Sequence, residues 1–182
     1  MSVADTLPVT VVHRAVVTVQ TGQAVQIVDL TPAVDAVVRR AGLGDGLVAV
    51  TTRHTTTGLV LNDAEPLLQL DVVALLDRLV PRGLADAHDD LARRHGVAAD
   101  ERVNGHAHSH PNVRSPHVGD PDFRAVLLRA SETLPVAAGR LALGRWQRLL
   151  FVELDGAQPR QVSVTCLGTA ADAGPSGWPV AG

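Results

Sequence analysis

Four of the chain's eight histidines, His106, His108, His110 and His117, stand in one polar stretch, "NGHAHSHPNVRSPH" at 104–117. Neutral imidazole is the commonest protein ligand for zinc-like ions, and a His-x-His pair on an extended segment projects both rings to one side. His106 and His108 can therefore supply two ligands at once, or line a solvated loop. His54 in "TTRHTTTGLV" and His88 after a helical stretch come from other segments, so only the fold can bring them to His108. His110 and His117 read as surface loop, and His13 and His95 as exposed strand and helix faces. Among carboxylates, Glu153 in "LLFVELDG" falls by alternation on the face of Phe151, where it must pair with a cation or accept hydrogen bonds to be buried. Asn62, Asp63, Glu65 and Asp71 cluster at the start of a helical stretch. Asp63 and Glu65 suit its positive end, while Asp71 is either solvated or reaches back toward His54. Trp146 reads as core, beside a Gln147 amide suited to fixing a ligand. No Gly-rich phosphate loop or local Ser/His/Asp signature is present.

The 182 residues suit one domain. With 46% hydrophobic but only 2% aromatic residues and no Tyr, the core must be built from Val, Leu and Ala. An aromatic platform for stacking bases is absent. The net charge of −3, with Arg scattered among acids, argues against nucleic acid or a membrane surface as partner. The lone Cys166, in a strand-like run, reads as a core residue. The opening "MSVADTLPVT" has no basic region leading into an apolar one, and no apolar run reaches about 18 residues. A soluble cytoplasmic protein is expected.

The elements that must position these groups follow from periodicity. "VTVVHRAVVTVQT" at 9–21 and "AVQIVDL" after Gly22 predict an opening β-hairpin. "DLTPAVDAVVRRAGLG" predicts a helix with Thr31 as N-cap, Pro32 in the first turn, Val34, Val37 and Val38 on one face, and Gly42 closing it. Residues 47–62 predict strands on both sides of a Thr-rich centre. "EPLLQLDVVALLDRLVP" predicts a helix with Leu68, Val72, Leu75, Leu76 and Leu79 inward, ended by Pro81. From about Arg82 to Pro121 the pattern is polar and irregular. Phe123, Val126, Leu127 and Ala130 then mark a third helical face, and the remaining Val- and Leu-rich runs predict the last strands. This order suggests an α+β domain with a mostly antiparallel sheet.

Taken in order, "HTTTGLVLND", "AEPLLQLD" and "LGRWQRLLFVELDG" resemble the YjbQ family, also called secondary thiamine-phosphate synthase enzymes. The likeness spans roughly residues 10–168. His54, Thr55, Gly58, Asn62, Asp71, His88, His108, Trp146, Gln147, Glu153, Asp155 and Gly156 fall on the family pattern. Asp63 stands for its usual Glu, Glu65 for its Asp, and Arg145 for a Thr, which sets a cation beside the expected site. Residues 109–122 read as an insertion if His108 is the family histidine. A second alignment puts Asp122 in that place and makes the whole histidine cluster inserted. The domain is expected to cover 1–168, with a tail at 169–182.

The resemblance implies a YjbQ-like fold, a mostly antiparallel β-sheet or sandwich with two to four helices, assembled as a homotrimer with histidine-lined metal pockets near subunit interfaces. It also implies joining of hydroxymethylpyrimidine diphosphate to thiazole phosphate with release of pyrophosphate. On that reading His54, Asp71, Glu153 and Gln147 are catalytic, and Thr55, Asn62, Arg145 and Trp146 bind a phosphorylated small molecule. His54, His88, His106 and His108 hold a divalent ion, zinc or magnesium. A metal-dependent hydrolase of a small phosphate ester and a non-catalytic metal-binding trimer are the alternatives.

Overall fold

Strictly alternating burial along Thr10–Gln20 shows what the Val-rich opening does: Val11, Ala15, Val17 and Val19 turn inward while Val12, Arg14 and Val16 face out. The structure, a computed structural model, describes residues 10–81 and 121–171. In order these form β1 (Thr10–Gln20), β2 (Gln26–Asp29), α1 (Thr31–Arg40), β3 (Leu43–Thr52), β4 (Thr57–Asn62), α2 (Pro66–Leu79), α3 (Pro121–Val126), β5 (Ser131–Ala137), β6 (Arg140–Leu141), β7 (Arg148–Glu153) and β8 (Pro159–Ala170). Every strand pair is antiparallel. A large sheet has the order β1-β8-β3-β5-β6 and a small one β2-β7-β4.

The expected opening hairpin does not form. β1 pairs with β8, Thr10 opposite Thr169 through Gln20 opposite Pro159, and β2 pairs with β7 in the other sheet. Both strands have an inward apolar set, and burying each on a separate sheet outweighs the local turn at Gly22. The β8 pairing runs through Thr169 and Ala170, which therefore belong to the domain rather than to the tail. Pro121 and Asp122 open α3.

The main core lies between the sheets and α1. Val34, Val37 and Val38 meet Val48, Val50, Leu134, Val162, Val164 and Cys166 of the large sheet, with Leu59, Leu149 and Phe151 of the small sheet on the same core. Cys166 is fully buried, and desolvation pushes its thiol pKa up. Thr31 is the first helical residue rather than the cap, which is Leu30. The Thr31 hydroxyl instead accepts the Leu149 N–H at 2.8 Å and ties α1 to β7. Gly42 follows the helix at φ +64, the left-handed conformation that a glycine tolerates.

On the small sheet's outer face, Leu76 of α2 packs on Val152 and Leu154, with Val72, Ala125 and Leu128 around them. Glu65 caps α2, its carboxylate accepting from Leu67 N and Leu68 N. The predicted inward face is only half used, because Leu75 and Leu79 stay exposed. The third helix is shorter than its pattern. It stops at Val126, and its buried residue is Arg124, while Phe123, Val126 and Leu127 are exposed. Arg124 Nη2 donates to Asp77 and to the Val80 carbonyl at 2.6 and 3.0 Å, closing the C-terminal end of α2 where a cation is favoured. His13 is not on the exposed face: it is half-buried, inward, opposite Cys166.

Candidate functional site

Strand alternation carries Leu149 and Phe151 into the core and then, at the end of β7, Glu153. Across the gap the inward residues of β8 are Val162 and Val164 and, at its start, Arg160. Both charged residues are thus set by register at one end of the interface between the sheets. Arg160 Nε and Nη2 meet the two Glu153 oxygens at 2.7 and 2.6 Å, a side-on bidentate pair with both side chains almost wholly buried. Glu153 also accepts from Leu154 N and Asp155 N, each at 3.0 Å, and lies 3.1 Å from the Thr21 hydroxyl. Its burial is therefore fully compensated.

The Thr-rich centre between β3 and β4 is the turn from one sheet to the other. Thr56, buried there, accepts from Arg160 Nη2 at 3.1 Å, and its carbonyl accepts the Leu154 N–H. Buried Thr52 and Thr57 share a hydroxyl–hydroxyl bond beneath it. The turn is stitched to β8 at one residue. Gln161 N donates to His54 Nε2 at 2.8 Å, Arg53 N donates to the Gln161 carbonyl, and Arg53 Nη1 donates to the Gln161 side chain. An Nε2 that accepts a backbone N–H makes His54 the neutral Nδ1–H tautomer. His54 is half-exposed and Thr55 exposed above this corner.

The other sequence-predicted residues lie elsewhere. Asn62 ends β4 opposite Arg148, the first residue of β7, and Arg145, Trp146 and Gln147 form the turn just before it. Along β7 Arg148 lies five residues before Glu153, about 17 Å at the usual rise of a strand. Trp146 is not core. It is 64% exposed with the Arg145 guanidinium 4.8 Å from its ring centroid. Gln147 spends its amide on the turn itself, its Oε1 accepting from Gly144 N at 2.9 Å. Asp71 is exposed on α2 and makes no bond to His54. The candidate residues therefore form two half-sites at opposite ends of the small sheet.

His88, His106 and His108, with His95, His110 and His117, lie outside the described residues. Among the described residues no group of three or more His, Cys, Asp or Glu is placed to hold a metal ion. His54 Nε2 is already an acceptor and Glu153 has no oxygen to spare, so the described donors do not fit an ion. Arg160 is the functional-site residue missed from the sequence. Its signal was the cation that a buried Glu153 demands, since Arg160 is the first basic residue after it in "ELDGAQPR".

The two antiparallel sheets with their helices are an α+β architecture that this chain shares with several solved structures. One, a YbjQ-like protein of unknown function from Sulfolobus solfataricus, superposes with a TM-score of 0.68 at 24% identity over 87% of this chain and 99% of that one. A hypothetical protein from Aeropyrum pernix gives 0.65 at 29% identity over 86% and 98%. The family model described as UPF0047 protein YjbQ-like matches residues 15–169, and the chain belongs to that family. Among its relatives is a UPF0047 protein of Archaeoglobus fulgidus, 38% identical over 150 residues that cover 82% of this chain and 98% of the relative. Another is UPF0047 protein Rv2556c of Mycobacterium tuberculosis, 33% identical over 136 residues, 75% of this chain and 84% of that one.

Proposed function

We propose that the protein is an enzyme acting on a phosphorylated small molecule, of the thiamine-phosphate synthase-like kind, with its substrate seated at the His54–Thr57 turn. One observation carries the reading. At this corner polar groups from both sheets converge on a buried ion pair, which fixes their geometry before any ligand arrives. Preorganised donors of this sort are what a departing pyrophosphate requires, since they cost no reorganisation as charge develops on it. His54, a neutral imidazole, and Thr55 and Thr56 are the groups that would orient the substrate. The sixteen cationic side chains are all arginine. Without a lysine the chain has no side-chain amine for imine chemistry, which leaves direct displacement as the suitable reaction class.

A homotrimer belongs to the same reading. The large sheet's outer face carries Val12, Leu167 and Leu47 in one cross-strand row, each at least half exposed, and contiguous exposed apolar surface marks association sites. A ring of copies could also set the Arg145–Trp146 half-site of one subunit beside the His54 half-site of the next. A divalent ion, zinc or magnesium, enters through His88, His106 and His108.

The test is thiamine phosphate formation from the two precursors, run beside hydrolysis of simple phosphate esters. Expected is measurable synthesis that falls at least tenfold in Thr55→Val. Faster turnover of the esters would replace the synthase reading with a phosphoesterase, and no turnover of either would remove the enzyme reading altogether.

A further inference from the structure

We propose that the outward edge of Arg160 is an oxyanion subsite, with Nη1 as its donor, and that it takes a phosphate group without the help of a metal ion. The inference rests on the phosphorylated substrate proposed above and names the group that recognises it.

A guanidinium is planar, with five N–H groups fixed in direction. In Arg160 the Nε–Nη2 edge is spent on Glu153, and Nη2 also reaches Thr56. Nη1 then points away from the carboxylate, and among the described residues no group accepts from it. It differs in this from the Nε and Nη1 of Arg124, which are also without acceptors but are sealed from solvent. Arg160 Nη1 is not one of these sealed atoms, and its residue keeps 4% exposure. The side chain is therefore immobilised, and an incoming acceptor would not have to restrict a flexible arginine.

The charge balance at this edge favours an anion. Glu153 spreads its negative charge over two backbone N–H groups and the Thr21 hydroxyl as well as over Arg160, so the outer edge of the guanidinium keeps a positive field. Asp155, an acid close by in the sequence, is half-buried and has interactions of its own. Arg145 is the weaker alternative, because its guanidinium stacks on an exposed tryptophan at the far end of the small sheet.

The experiment is calorimetric titration of the full chain with inorganic pyrophosphate in the presence of EDTA. It compares wild type with the double variant Glu153→Leu/Arg160→Met, because a buried ion pair replaced by apolar residues of similar volume often leaves stability unchanged. Expected is saturable binding at one site per subunit, weakened at least tenfold in the double variant. Should that variant not fold, side-chain 15N spectra of the wild type decide, the Arg160 Nη signals shifting on addition of pyrophosphate. A folded double variant that binds as wild type does, or Nη signals that do not move, would overturn the subsite. Binding by wild type only after zinc or magnesium is added would also overturn it, and the phosphorylated-substrate reading would survive. No binding under either condition would remove both.

Discussion

At the scale of single residues, Glu153 and Arg160 answer a question that alternation raises but cannot close. Placing Glu153 on the face of Phe151 followed from the strand period, as did the demand for a compensating partner. Which partner it finds depends on two sheets meeting, and no local pattern encodes that. His54 is similar: its type and place were legible, whereas its role as acceptor from Gln161 N depends on the turn folding over β8. Removing one member of a buried pair leaves the other uncompensated, so Arg160→Met alone should cost about 3–5 kcal/mol in urea denaturation, and the double variant much less. Metal content should survive in His54→Ala and fall in His108→Ala, measured by elemental analysis of untagged protein. The reverse result would restore His54 as a ligand. Cys166 gives a pH dependence. Its thiol pKa is raised in the fold by burial, so folded protein keeps its proton where unfolded chain has lost it. Its contribution is complete below the unfolded thiol value of about 8.5 and declines as pH rises above it. Stability of Cys166→Ala should accordingly fall less between pH 8 and pH 10 than that of wild type, by chemical denaturation at each pH.

At the scale of elements, periodicity located the strands and helices well and their partners poorly. α1 was legible because Pro32, the Val stripe and Gly42 agree with one another. The hairpin was misread because a glycine between two strands is as compatible with a crossing between sheets as with a tight turn. α3 was misread because Phe123, Val126 and Leu127 have helical spacing yet lie outward, with Arg124 taking the buried place. β3 and β8 carry a constraint that spacing alone does not reveal. A Cβ on Gly168 would stand 2.1 Å from the Asp45 carbonyl oxygen, and one on Gly46, at φ +155, 2.2 Å from that of Leu167. Backbone cannot withdraw from such contacts without opening the ladder, so Gly168→Ala should lower the melting temperature by several degrees, about 1–3 kcal/mol. An unchanged melting curve would mean that the irregularity between Leu43 and Asp45 relaxes freely.

For the whole molecule, the fold class was readable from composition and element order, but the candidate site was readable only as a set of residues. Its division into two half-sites follows from strand direction: β4 and β7 run antiparallel, so residues that are neighbours in the motifs reach opposite ends of the small sheet. If association joins those ends through the large sheet's outer face, Leu47→Glu should shift the protein toward monomer in light scattering while leaving its circular dichroism unchanged. A trimer that persists in this variant would place the interface elsewhere. No helix among the described residues is long and apolar enough to cross a membrane.

The pairing of β1 with β8 along its full length, flanked on the other side by β3, also sets the order in which the molecule can be made. β8, the strand between β1 and β3, follows all the other described strands in the chain, so on the ribosome β1 and β3 wait without the neighbour that joins them. Ring closure over nearly the whole chain precedes any reward from that pairing, which makes for slow folding of high contact order. During that delay the Val-rich β1 is an unpaired edge with a strong tendency to self-associate.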